Sequence, residues 1–258
     1  HLTNFLNVKM GGPMLFLEQN LLRFPQPKNP SGVYGTAMHS AVEEIAMYPK
    51  YNGGEQAPFT RIIDIFQKEI NRGRLPCAEQ AKQSSRGVKA LTRFYEITAG
   101  SFLPDDQVEV DMKNEGVMLG KAHLTGKLDL LRTYNGTYEV YDFKTGKISQ
   151  SWNEAKSDED KIKLHNYRLQ LITYKLLLEN SIHFKNKPIT KSALWFIEGD
   201  PLVELVLDAS DAEIDRVKKL IEAVYKKIIN LDFPDISKYK DTYKALLQFE
   251  DDLIEGKI

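Results

Sequence analysis

The chain has 258 residues and a mass of 29.5 kDa, with 42% hydrophobic and 28% charged residues, a globular composition that excludes a disordered chain. Its single cysteine, Cys77, excludes a disulfide framework, a four-cysteine zinc site and a four-cysteine iron–sulfur cluster, so no iron–sulfur cofactor is expected. The net charge of −1 hides an asymmetry: residues 61–93 carry eight Lys/Arg against three Asp/Glu, whereas residues 198–258 carry fifteen acids against nine bases.

A basic block in a neutral chain is either a polyanion footprint or a solvated helix face, and charge alone leaves both open. No apolar run is long enough to span a bilayer, so no membrane contact is expected. The lone cysteine agrees with a reducing compartment, and a cytoplasmic location is expected. The chain starts at His1 without a charged-then-apolar leader and reads as a piece excised or trimmed from something longer.

In chain order, residues 32–47 predict a helix entered through small residues and ended by Pro49. The spacing of Phe59, Ile62, Ile63, Phe66 and Ile70 predicts a second helix over 58–70. A third covers 79–98 and puts Lys82, Arg86, Lys89 and Arg93 on one face. Strand signals follow over 104–144. Val108 and Val110 alternate with Glu109 and Asp111, and Asn114-Glu115-Gly116 is a turn. A strand over 128–133 leads into Asn135-Gly136, the strongest short hairpin signal, and 138–144 is the return strand. A long helix covers 160–180, and strands cover 193–197 and 202–207. Ser210 or Asp211 caps a helix running to about Asn230, and the tail is helical around 243–253. The sum is an α/β or α+β sheet flanked by helices, with a helical N-terminal extension.

The hairpin carries the sharpest chemistry. A two-residue loop at Asn135-Gly136 pairs Tyr134 with Thr137 and, continuing down the strands, Asp129 with Asp142. Side chains alternate, so Lys144 shares the face of Asp142, while Tyr141 and Phe143 point the other way. Two opposed carboxylates repel unless a cation lies between them, and oxygen ligands suit Mg²⁺ or Mn²⁺. The alternative is an ion network on a solvated sheet face, and geometry alone does not decide between the two.

Gly126-Lys127-Leu128-Asp129, a hairpin, and then Asp142-Phe143-Lys144-Thr145-Gly146-Lys147 resemble the PD-(D/E)XK nucleases of the RecB type. Gly35-Thr36-Ala37-Met38-His39 resembles that family's upstream histidine helix. Gln170-Leu171-Ile172-Thr173-Tyr174 resembles its Q-x-x-x-Y helix, and the four elements stand in the family's order. Gln170 and Tyr174, one turn apart, share a helix face that Tyr167 joins, apart from an apolar stripe at Leu169, Ile172 and Leu176.

The resemblance implies a restriction-endonuclease-like central mixed β-sheet flanked by helices. It implies one nuclease domain over 1–258, with a helical arm at 1–103, a catalytic core at 104–232 and a helical tail at 233–258. It implies hydrolysis of DNA phosphodiester bonds with Mg²⁺ or Mn²⁺. The implied catalytic residues are Asp129, Asp142, Lys144, Gln170 and Tyr174. The implied metal ligands are His39, Asp129, Asp142 and the carbonyl of Phe143, with Glu109 a further acid of the family. Lys82, Arg86, Lys89, Arg93, Lys147, Lys161, Lys163 and Arg168 form the expected DNA track. Similar domains often sit beside a helicase, in the same chain or complex, and act in end resection, recombination or repair. The rival expectation is a DNA-binding module that has lost catalysis. Some relatives carry iron–sulfur cysteines that this chain lacks. His123 and His165 are not spaced as zinc ligands with Cys77.

Overall fold

The structure is a computed structural model that describes residues 2–27, 29–146 and 148–258. Two short helices open the chain, α1 (Leu2–Leu6) and α2 (Gly12–Phe16), and three longer ones follow: α3 (Pro30–Tyr51), α4 (Phe59–Arg72) and α5 (Cys77–Ile97). Strand β1 (Gln107–Asp111), a small hairpin of β2 (Met118–Leu119) and β3 (Ala122–His123), and the long hairpin of β4 (Lys127–Tyr134) and β5 (Thr137–Lys144) come next. Helix α6 (Asp158–Glu179) crosses over to β6 (Ile189–Phe196). Strand β7 (Val203–Val206) and helices α7 (Asp211–Ile229) and α8 (Tyr243–Ile254) complete the chain.

The sheet order is β1-β4-β5-β6-β7. Among the described residues β5 and β6 run parallel and the other neighbours of this sheet antiparallel. A parallel neighbour needs a crossover, and α6 supplies it. The fold is thus the mixed α/β sheet flanked by helices expected of a restriction-endonuclease-like protein, with a helical N-terminal region.

Alternation along β5 builds the two layers. Tyr141 and Phe143 pack with Tyr34, Phe66, Leu91 and Phe94 of α3, α4 and α5. Tyr138 and Val140 pack with Leu171, Tyr174 and Leu178 of α6. A third cluster lies behind α6, where Leu169, Ile172 and Leu176 meet α7, α8 and, from the other end of the chain, Phe5, Leu6 and Phe16. The apolar stripe read on α6 is therefore a real interface, with a partner that comes from both chain ends.

Most boundaries move by a residue or two from the sequence reading, and those of α3 and β6 move furthest. Helix α3 runs through the buried Pro49 and ends at Tyr51, two residues later: the proline lacks the N–H that would bond back to the Ile45 carbonyl, so the helix stops soon after it rather than at it. Its start is set by Asn29, whose Oδ1 accepts from Gly32 N at 2.7 Å. Strand β6 begins at Ile189, before the apolar run, because its polar first half still pairs with β5. Of the two caps weighed for α7, Ser210 is the one used, accepting from Glu213 N at 3.2 Å. The hairpin turn is as the residues require: Asn135 and Gly136 both have positive φ, 47° and 79°.

Candidate active site

The β4–β5 ladder runs in the expected register from Tyr134↔Thr137 to Leu130↔Tyr141. It then gives way to a side chain. Phe143 N donates to Asp129 Oδ2 at 2.8 Å, so a carboxylate takes the backbone donor beside the next pair, Asp129 and Asp142. The other edge of β4 is bent at the same level. Val108 and Leu130, which pair, pack with the layer of α3 to α5, whereas Val110 and Leu128 pack with that of α6. Residues two apart on a regular strand share a face, so both strands change face across Glu109 and Asp129. Glu109 has φ of 56°, an uncommon conformation for a residue with a long side chain and the kind of strain that collects at functional sites.

The bend lets both layers reach one corner. From α3, His39 Nδ1 lies 3.7 Å from Asp129 Oδ2. The Phe143 backbone beside the ring favours its protonated form, as does the charge of Asp142, against burial and Lys144. His39, Glu109 and Asp129 each bring a ligand atom within 4.8 Å of the others. From α6, Tyr174 Oη donates to Asp142 Oδ1 at 3.0 Å and accepts from Gln170 Nε2 at 2.9 Å. Gln170 Oε1 accepts from Lys144 Nζ at 2.7 Å, and that ammonium lies 2.6 Å from Asp142 Oδ2 and over the Tyr167 ring at 4.8 Å. The result is a closed circuit of Asp142, Lys144, Gln170 and Tyr174 next to a three-donor cluster.

The electrostatics suit a cation. Burial first, and the charge of Asp142 second, push the Asp129 carboxyl up to about 8, against the Phe143 N–H and the Lys144 ammonium. Burial also holds His39 below its ordinary value, so the imidazole is neutral and able to ligate at neutral pH. Asp142 Oδ2 faces Lys144 in charge, but out of line for a hydrogen bond, and remains a buried carboxylate oxygen without one. An orphaned buried oxygen, a raised buried acid and a set of oxygen and imidazole donors fit a hard divalent ion.

Sequence reasoning missed one acid. Glu43 lies one turn after His39 on α3, and its carboxyl is raised by burial first and by the charge of Glu109 second, with Lys127 opposing. The i, i+4 spacing from His39 was the available signal. Lys127 itself pairs with Glu109.

The expected DNA track is only partly free. Arg86 is bidentate on Glu198 at 2.7 and 2.8 Å, and Arg93 lies 3.1 Å from Asp200. Lys82 lies 3.8 Å from Glu79. Arg168 is bidentate on Glu213 and stacks over Trp152 at 5.0 Å. Lys163 lies over the Tyr167 ring at 5.6 Å, beside the circuit. Lys89 and Lys161 are exposed. Lys147 lies outside the described residues. His165 bonds the fully buried Glu250 at 2.7 Å, a packing role that explains a histidine left without a chemical assignment.

The raised Asp129 predicts a pH effect on stability. Above pH ~4 an unfolded chain has released this proton, while the folded chain keeps it until about pH 8. The unfolded state thus binds fewer protons in that window, and stability of the metal-free protein falls as pH rises through it. Asp129→Asn should flatten that part of the profile in denaturant titrations with chelator. An unchanged slope in the variant would assign the effect elsewhere.

A mixed sheet with two buried aspartates, a lysine on the central strand and a histidine from the preceding helices defines the restriction-endonuclease-like class. The family model described as the PD-(D/E)XK nuclease superfamily matches residues 12–240, and the chain belongs to that superfamily. Membership implies metal-dependent nuclease chemistry with DNA as substrate. No curated protein matches the chain. Among the described residues no helix is long and apolar enough to cross a membrane.

Proposed function

We propose that this chain is a Mg²⁺- or Mn²⁺-dependent deoxyribonuclease whose active centre is the corner just described. The observation that carries the reading is the circuit through Asp142, Lys144, Gln170 and Tyr174 beside the His39, Glu109 and Asp129 cluster, with the charge of Asp142 felt by both Asp129 and His39. His39, Glu109, Asp129 and Asp142, with the Phe143 carbonyl, are the groups that would hold the cation. A divalent ion there would polarise the phosphoryl oxygen and lower the pKa of the attacking water.

The chain's own residues do the rest. Gln170 accepts from Lys144 and Asp142 neutralises it, so the ammonium is fixed before substrate arrives. From there it can hold a water in line with phosphorus and place a positive charge beside the phosphate as negative charge builds. Tyr174 takes one oxygen of Asp142, fixing that carboxylate's orientation. Water adds at phosphorus and gives up one proton to solvent, the bond to the leaving oxygen breaks, and that oxygen takes up one proton from solvent, so water is divided between the two products.

The finer reading is a RecB-type nuclease acting with a helicase, in the same chain or complex, in end resection, recombination or repair in the cytoplasm. The order of the histidine helix, Asp129, the Asp142-Phe143-Lys144 strand and the Gln170/Tyr174 helix supports it. The test is cleavage of labelled single- and double-stranded DNA by the purified protein with Mg²⁺, with Mn²⁺ and with chelator. Binding without cleavage under any metal would make the chain a DNA-binding module instead.

A further inference from the structure

We infer that Glu198 is a positioning residue of this active centre, that it braces the segment leaving the catalytic lysine, and that Arg86 is its counter-ion rather than a phosphate contact. The inference rests on the nuclease reading for the reaction, but its geometry is independent of it. Strand β5 ends at Lys144, and its carbonyl still accepts from Ile197 N at 3.0 Å, the last backbone bond between the two parallel strands among the described residues. One residue further along the other strand the ladder is continued by a side chain: Gly146 N donates to Glu198 Oε1 at 2.6 Å. The backbone on both sides of Lys144 is therefore anchored, upstream by Phe143 N on Asp129 and downstream by Gly146 N on Glu198.

Glu198 is itself held. Arg86 reaches from α5 to both of its oxygens and stacks on the Tyr34 ring at 4.3 Å, so the guanidinium is fixed by a carboxylate and by an aromatic face at once. The Glu198 side chain is 15% exposed, against 41% for that of Arg86, which makes the carboxylate the inner member of the pair. Tyr34 stands beside Gly35, and a Cβ at Gly35 would meet Thr145 Oγ1 at 3.7 Å, so α3 passes directly over the same turn. Gly146 has φ of 91°, a conformation that only glycine holds without strain, and its N–H is presented to Glu198 in that conformation.

This arrangement changes the role of the basic face. An arginine engaged by both its carboxylate and a ring gains little from a phosphate, because it would first have to leave the pair. A carboxylate at the DNA surface is tolerable only while its charge is met, and Arg86 meets it. Losing the brace leaves the sheet intact but frees the turn that fixes Lys144, and small misplacements at a reacting centre are expensive, up to ~10²-fold for about 1 Å.

The test pairs kinetics with amide exchange. In Glu198→Ala the Gly146 amide should exchange faster while amides of the sheet core are unchanged, and turnover should fall ~10- to 100-fold at unchanged KM, as a misplaced reacting group predicts. Glu198→Gln keeps an acceptor for Gly146 and should lose much less of either. Arg86→Ala should lower turnover while the slope of log affinity against log salt stays the same. If Arg86→Ala instead lowers that slope by about one and leaves turnover intact, Arg86 is a phosphate contact and the inference fails. Unchanged Gly146 exchange in Glu198→Ala overturns the brace itself. A parent protein that cleaves no DNA, with Gly146 exchange still sensitive to Glu198, removes the reaction and so the positioning role, while leaving the contact demonstrated.

Discussion

Asp142→Asn and Asp129→Asn should each abolish metal-dependent cleavage, with both proteins still folded. The two losses have different routes. Asp142 uses Oδ1 to accept from Tyr174 and sets Oδ2 beside the Lys144 ammonium. An asparagine keeps one acceptor but removes the charge that neutralises Lys144 and the oxygen that is without a hydrogen bond. Removing one preorganised electrostatic group typically costs ~10²–10³ in turnover, and here a lysine and a cation site lose their partner together. Asp129 joins His39 and Glu109 in the three-donor cluster and holds Phe143 N. Its amide would still bond that N–H in one orientation, so the strand geometry survives while the ligand charge is lost. Calorimetric titration of Mn²⁺ without DNA gives a readout apart from activity: binding should weaken sharply in Asp129→Asn. Full cleavage in excess chelator, or parental rates in Asp142→Asn, would remove the metal mechanism.

The parts of this site that sequence could show are those set by local chemistry. Asn135-Gly136 tolerates the two positive φ values of a tight turn, so the register of β4 against β5 follows from two residues. Gln170 and Tyr174 share a face because a helix turns that way, and they bond each other as that spacing allows. What sequence could not show is set by partners far apart in the chain. Arg86 and Arg93 lie on the basic stripe as read, but the acids that engage them, Glu198 and Asp200, come more than a hundred residues later, in the turn after β6. Periodicity gives a charge its face and says nothing of what is brought against it. The bend at Glu109 and Asp129 was hidden for a related reason. Val108 and Val110 alternate with their neighbours as in a straight strand, yet they pack into different clusters because Glu109 takes a positive φ. The packing of the C-terminal helix was hidden as well: Leu246, Phe249 and Leu253 share a cluster with Phe5 and Phe16. No window of sequence contains both halves of that contact.

Lys144→Ala should lower turnover by ~10²–10⁴, the range for a group that holds or moves a proton at the reacting centre, while DNA affinity changes little. The reason is the position of Nζ. It is not extended toward solvent as a phosphate anchor would be; its side chain is 16% exposed and it is held 2.7 Å from Gln170 Oε1 and 2.6 Å from Asp142 Oδ2. A group so placed contributes through orientation, which acts in the transition state more than in binding. Lys144→Arg should not restore the rate. A planar guanidinium carries the same charge but cannot occupy a single point between an amide oxygen and a carboxylate with a ring beneath it. Gln170→Ala should cost less, because Gln170 acts on Lys144, and the double variant should be no worse than Lys144→Ala alone. Additive losses would show that Gln170 touches the substrate directly. Recovery with arginine, together with weaker DNA binding and a smaller salt slope in Lys144→Ala, would make the lysine an anchor for phosphate and leave the orientation of the water to another group.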